Sequence, residues 1–69
     1  MFTAVAYAAD TQALYLRFRS GVVYRCFDFP PEQFRSFLSA ESRGRYFLAN
    51  IRDRFAYERL ARLEVVGSP

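Results

Sequence analysis

The segment from Ser42 to Phe47 carries the side chains whose types and spacing best suit recognition of another molecule. It reads Ser-Arg-Gly-Arg-Tyr-Phe, so two arginines flank Gly44 at the predicted start of a helix. A helix N-terminus presents free backbone N–H groups and the positive end of the helix dipole, so arginines there create an anion site. The neighbouring tyrosine can stack on an unpaired base. The competing interpretation is a helix cap with solvated arginines and aromatic rings in the core.

Further arginines extend this candidate surface. The predicted nucleic-acid-binding residues are Arg17, Arg25, Ser42, Arg43, Gly44, Arg45, Tyr46, Arg52 and Arg54. All ten basic residues of the chain are arginine, whose guanidinium group pairs with phosphates and stacks on bases. An arginine-only set is also common in GC-rich genomes. Seven carboxylates reduce the net charge to +3, so charge alone gives only weak support for nucleic-acid binding.

Composition removes most catalytic and metal chemistry. The chain has no histidine, no lysine and one cysteine, Cys26. This excludes Ser-His and Cys-His pairs, Schiff-base chemistry, a thiolate–imidazole zinc site and a disulfide within the chain. The remaining carboxylates form no recognisable catalytic motif, and three glycines form no phosphate loop. We therefore expect no enzymatic activity, no catalytic residue, no metal and no cofactor. We expect Cys26 to be a small core hydrophobe.

The size and hydrophobicity of the chain predict one small domain with a dense core. It has 69 residues, of which 52% are hydrophobic and 19% aromatic. We place the domain at residues 1–66 and a frayed tail at residues 67–69. No secretory signal and no apolar run of membrane-spanning length is visible, so we expect a cytoplasmic protein with no membrane contact.

The first half of the chain reads as strands. A short strand is predicted at Ala4–Tyr7. Apolar residues then alternate with Tyr15, Arg17 and Arg19, which predicts a half-buried second strand. A third strand is predicted over residues 22–27, because β-branched and aromatic residues are frequent there.

The turn between the second and third strands decides which side chains face outward. A three-residue loop ending at Gly21 pairs Leu14 with Cys26 and Leu16 with Tyr24. A two-residue turn would instead pair apolar with charged residues, and a one-residue shift reverses a whole strand face. We therefore expect the longer loop. The predicted outer face is aromatic and basic and carries Tyr15, Arg17, Val23, Arg25 and Phe27.

The second half reads as two helices. Pro30 and Pro31 precede an apolar stripe that predicts a first helix ending near Ala40. Ser42 is the predicted cap of a second helix. The aromatic residues that follow fit either a longer helix or a short strand. The predicted fold is therefore α+β: a three-stranded antiparallel meander and two helices packed on one face, with a short C-terminal edge strand as the alternative to a longer second helix.

The order of these features resembles the KTSC domain family, which occurs in small bacterial proteins and at the C-terminus of some lysyl-tRNA synthetases. The resemblance covers residues 3–60 and is most specific over residues 40–47 with Ile51 and Arg52. The chain departs from the family at Cys26, where a central Tyr-x-Tyr motif has its second tyrosine. It also has Leu48 where the family has asparagine, and Ala56 where the family has proline.

Two kinds of binding function follow from these observations. The attachment of related domains to a tRNA-charging enzyme implies RNA as the partner, which agrees with the arginines at the second helix start. The alternative is a protein-interaction or self-associating module that uses the aromatic sheet face or a free edge strand to bind a partner or a second copy.

Overall fold

A four-stranded antiparallel sheet and two helices make up residues 2–60, the part of the chain that the computed structural model describes. The elements are β1 (Phe2–Ala8), β2 (Ala13–Phe18), β3 (Val23–Cys26), α1 (Pro31–Ser39), α2 (Arg43–Asn50) and β4 (Tyr57–Leu60). The strands lie side by side in the order β1-β2-β3-β4. The predicted α+β class, with two helices after a meander, is confirmed. The predicted boundary at residue 66 and the tail at residues 67–69 lie outside the described residues.

The loop between β2 and β3 has the predicted length. The backbone N–H of Phe18 donates to the Val22 carbonyl at 2.9 Å, and Gly21 has φ 91°, a left-handed conformation that favours glycine. The resulting register pairs Leu14 with Cys26, as predicted. The apolar side chains of β2 therefore share one face of the sheet with the apolar side chains of β3.

The two outer strands differ in detail from the predictions. β1 extends beyond the predicted Ala4–Tyr7 at both ends, and its register with β2 shifts between Phe2 and Ala4. The predicted C-terminal edge strand is present as β4, which pairs antiparallel with β3. A strand forms there rather than a longer helix. Tyr57 lies opposite Cys26 and Arg59 lies opposite Tyr24, and these cross-strand pairs stabilise the sheet on the face that the helices partly cover.

Both helices start where the sequence predicts. Pro31 occupies the first turn of α1, where its missing N–H costs nothing, and Glu32 lies in the same turn. The Ser42 hydroxyl accepts a hydrogen bond from the backbone N–H of Arg45 at 3.2 Å, which is the predicted cap of α2. The helix ends are therefore encoded locally by the chain.

The core lies between the sheet and the two helices. Its buried members come from β2, β3, α1 and the segments next to the helices: Leu14, Leu16, Cys26, Phe29, Phe37 and Ile51. Phe2 contacts Phe37 and Phe47 edge-to-face, with centroid distances of 5.8 and 5.4 Å. Among residues 2–60, no helix is long and apolar enough to cross a membrane.

The substitution Leu14→Ala tests whether β2 forms the centre of the core. Leu48→Ala is the control, because it is the same substitution at a residue that is 51% exposed. Leu14 is fully buried, so truncation removes apolar contacts and leaves a cavity, at a cost of about 2–5 kcal/mol. We expect a large drop in the urea unfolding midpoint for L14A and a shift within about 0.5 kcal/mol for L48A. Equal losses in the two variants would contradict the assignment of the core.

Candidate nucleic-acid interface

A groove of about 530 Å³ opens on the inner face of the sheet, beyond the area that the helices cover. One wall is the sheet at β3 and β4, and the other is α2 with the turn that follows it. The lining residues are Phe18, Ser20, Val22, Tyr24, Cys26, Phe47, Leu48, Ile51, Arg52, Phe55, Tyr57 and Arg59. Its volume is in the range of small-molecule sites.

Aromatic rings line much of this groove. Tyr24 lies between Phe18 and Tyr57 and meets both rings edge-to-face, with centroid distances of 5.5 and 5.4 Å. Tyr57 is 58% exposed, so more than half of its surface is open to solvent. The arrangement presents aromatic surface on which a planar group can stack.

Among residues 2–60, the charged side chains that line the groove have one sign. Arg52 and Arg59 line it from opposite walls, one after α2 and the other on β4. None of the described lining residues is a carboxylate. Since no negative side chain is among the described lining residues, the groove favours an anionic ligand.

Cys26 borders the groove from the sheet side. Its side chain is 4% exposed, and burial raises the pKa of the thiol, so the neutral form dominates over a wider pH range than usual. The prediction of a small core hydrophobe is confirmed. Phe29, fully buried in the same core cluster, supplies volume near this position, whereas Phe27 is exposed.

The predicted site residues on the sheet lie on the outer face, away from the groove. The Arg17 guanidinium donates to the Thr3 hydroxyl at 3.1 Å. Arg25 forms an ion pair with Glu58 across the β3–β4 pairing. These two arginines and the groove therefore occupy opposite faces of one sheet.

Arg25 is enclosed by its neighbours. Its guanidinium carbon lies 6.0 Å from the centroid of the Tyr15 ring and 5.4 Å from that of Phe27. The hydrogen bonds that its guanidinium donates to Tyr15 and Glu58 raise the pKa of Arg25, so it stays charged. A cation already paired and stacked in this way is less available to a phosphate.

The predicted residues at the start of α2 form a separate group. Ser42 is occupied as the helix cap, and an Arg43 Nη atom donates to the Leu38 carbonyl at 3.4 Å. Arg45 is exposed, and Gly44 is half-buried beside β1. Tyr46 packs against Phe37 with a centroid distance of 5.6 Å, as the core interpretation of this residue predicts.

Arg52 and Arg54 lie in the turn after α2, at the opposite end of that helix from Arg43. Both are exposed, and Arg52 is the predicted site residue that lines the groove. The nine predicted residues thus fall into three separate groups. The structure adds Tyr24, Tyr57 and Arg59 to the candidate site.

A sequence signal for these added residues existed. Tyr24 alternates in phase with Cys26 and therefore shares the inner sheet face, and Tyr57 and Arg59 show the same two-residue spacing. What the pattern lacks is any indication that the helices leave the β3–β4 end of the sheet uncovered.

Comparison with known proteins agrees with this architecture. The sequence model of the KTSC domain family matches residues 1–55. The chain belongs to the KTSC domain family. A protein of Tsukamurella paurometabola is 40% identical over 52 residues, which cover 75% of this chain and 78% of that protein. The crystal structure of a KTSC domain protein from Yersinia pestis superposes with a TM-score of 0.79 at 28% identity, covering 83% of this chain and 80% of that one.

The extent of the match bears on the groove. The residues matched by the KTSC model end at Phe55, whereas β4 begins at Tyr57. The lining residues from β3 and α2 therefore belong to the matched KTSC domain, and those from β4 follow it in the chain. Tyr57 and Arg59 lie in the part of the groove that the KTSC match does not reach.

The burial of Cys26 predicts a slow thiol reaction in the folded KTSC domain. A raised pKa lowers the thiolate fraction at a given pH, and the thiolate is the nucleophile. At pH 8 we expect a disulfide reagent to label the native protein about 100-fold more slowly than the urea-unfolded protein, because reaction waits for local opening. Equal rates in the two states would contradict a buried thiol.

Proposed function

We propose that this KTSC domain is a non-enzymatic binding module whose groove takes a single-stranded segment of RNA. The observation that carries the proposal is the combination of an exposed tyrosine, Tyr57, with Arg52 and Arg59 in a groove whose described lining has no carboxylate. The composition supports the absence of catalysis, since the chain has no histidine and no lysine. The proposed setting is the cytoplasm, where a single free thiol persists.

Single-stranded RNA fits the chemistry of this groove. Proteins that bind single strands combine a positive groove, which follows the backbone, with aromatic rings on which bases stack. Tyr57 and the half-buried Tyr24 supply such rings, and Arg52 and Arg59 supply phosphate contacts from the two walls. A duplex fits less well, because its bases are already stacked and its backbone is stiff.

The other arginines support this choice of surface by their own contacts. Arg25 on the outer face is paired with Glu58, which offsets its charge. Arg43 and Arg45 lie at the start of α2, and neither lines the groove. These two arginines are the site that the sequence favours, so they provide a direct comparison.

The test measures fluorescence anisotropy of a labelled single-stranded RNA of about ten nucleotides, within the site sizes of known single-strand modules. We expect binding at low salt that weakens as salt is raised, because phosphate contacts release counterions. A hairpin duplex of similar length serves as the control and should bind more weakly. Absence of binding at low salt, where charge interactions are strongest, would overturn the proposal.

Two double variants of equal charge locate the site. Arg52→Gln/Arg59→Gln and Arg43→Gln/Arg45→Gln each remove two positive charges. We expect the first pair to reduce the slope of log affinity against log salt by about 1.4, since each lost contact to a single strand contributes about 0.7. The second pair should change the slope little. The opposite result would move the site to the start of α2.

Tyr57 provides the test of base stacking. We expect Tyr57→Ala to lower RNA affinity by about 1–3 kcal/mol, because a stacked base loses its aromatic partner. Tyr57→Phe keeps the ring and should bind nearly as the original protein does. Circular dichroism of both variants checks that β4 is retained. Equal affinities for the alanine and phenylalanine variants would exclude stacking on this ring.

A further inference from the structure

Among the described residues, the edge of the sheet formed by β1 carries backbone groups that no other strand pairs with. The N–H of Phe18 donates to Val22, so alternate residues of β2 from Leu14 to Phe18 bond to β3. The residues between them, which include Tyr15, bond to β1. Ala6 is the partner of Tyr15, so its backbone groups point to β2. The backbone N–H and C=O groups of its two neighbours, Val5 and Tyr7, then point away from β2 at the open edge of the sheet.

β1 lacks the features that usually prevent edge pairing. Its seven residues, Phe-Thr-Ala-Val-Ala-Tyr-Ala, include no charge and no proline. Within residues 2–60, β2 is the only strand that pairs with it. The shift of register between Phe2 and Ala4 affects one end and leaves the remainder regular. Such a strand is a template for another strand.

Charges of opposite sign flank the two ends of this edge on the helical side. Tyr7 stacks on Phe34 with a centroid distance of 4.5 Å and an interplanar angle of 13°, which places the first turn of α1, with Glu32, at that end of β1. At the other end, Arg43 lines a cleft with Phe2 and the residues that follow it.

We propose that this edge pairs with β1 of a second copy of the chain, antiparallel and about a twofold axis, to form a continuous eight-stranded sheet. A twofold axis that makes two edge strands antiparallel is perpendicular to the sheet, so both helical layers lie on the same side. Glu32 of each copy then lies at the end of β1 where the other copy has Arg43. The charges of Glu32 and Arg43 are therefore complementary between the two copies under this operation.

The cleft beside the edge supports the same arrangement. Leu38 of α1 is 40% exposed and lines the cleft together with Gly44, whose missing side chain leaves room at the edge. Strand pairing would bring the two α1 helices alongside each other and cover Leu38 from both sides. Each copy contributes one short strand and one helix to the contact. This area is small, so the dimer should dissociate on dilution.

Analytical ultracentrifugation of RNA-free protein over a range of concentrations tests the dimer. We expect Glu32→Arg and Arg43→Glu each to weaken association about tenfold or more, because each replaces two attractive contacts with two repulsive ones. The double exchange Glu32→Arg/Arg43→Glu restores opposite charges and should recover association. Arg45→Glu has the same charge change as Arg43→Glu but lies outside the cleft, so it should associate like the original protein.

Amide hydrogen exchange provides the second readout. In the dimer, the N–H groups of Val5 and Tyr7 become hydrogen-bonded, whereas that of Ala6 is bonded to β2 in either state. Raising the protein concentration should therefore slow exchange at Val5 and Tyr7 selectively. A monomer at every concentration, or no recovery in the double exchange, would overturn the proposal. Both measurements exclude RNA, so failure of either proposal can be recognised separately.

Discussion

The register between β2 and β3 is the constraint on which the rest of the structure depends. The loop that ends at Gly21 sets it, because φ 91° at that position allows a three-residue connection. With this register Leu14 and Leu16 face the helices and are fully buried. A shift of one residue would bring Tyr15 and Arg17 under the helices instead, and a guanidinium without water or a partner there would be very costly. The core, the groove and the outer face are all consequences of this one connection.

Much of this arrangement is predictable from local signals. Alternation gives the inner residues of β2 and β3, Pro31 and Ser42 mark the helix starts, and the apolar pairing of Leu14 with Cys26 selects the loop. The groove is harder to predict because Tyr24 and Tyr57, which contact each other, are separated in the chain by both helices. Its existence depends on how far α2 extends over the sheet, which is a property of packing rather than of any segment. The functional roles of the predicted arginines are not fixed by the fold.

The sheet separates three surfaces that the arginines of the chain serve differently. On the outer face Arg25 links β3 to β4 through its ion pair with Glu58. At the β1 edge Arg43 lies beside unpaired backbone groups. At the β4 end Arg52 and Arg59 face aromatic rings. Arginines thus have different neighbours because of their place in the topology. The net charge of the chain does not indicate which arginines are paired and which face a groove.

The attachment of β4 has a consequence for the dynamics of the groove. β4 pairs with β3 alone among the described strands, and Tyr57, Glu58 and Arg59 are exposed. A strand with so little buried surface separates from its sheet at a lower free energy than global unfolding requires. Its departure would remove the part of the sheet wall that β4 forms and release Arg25 from Glu58 in the same event. Any ligand that contacts both β4 and α2 therefore holds β4 in place, and its affinity includes the free energy of closing that strand.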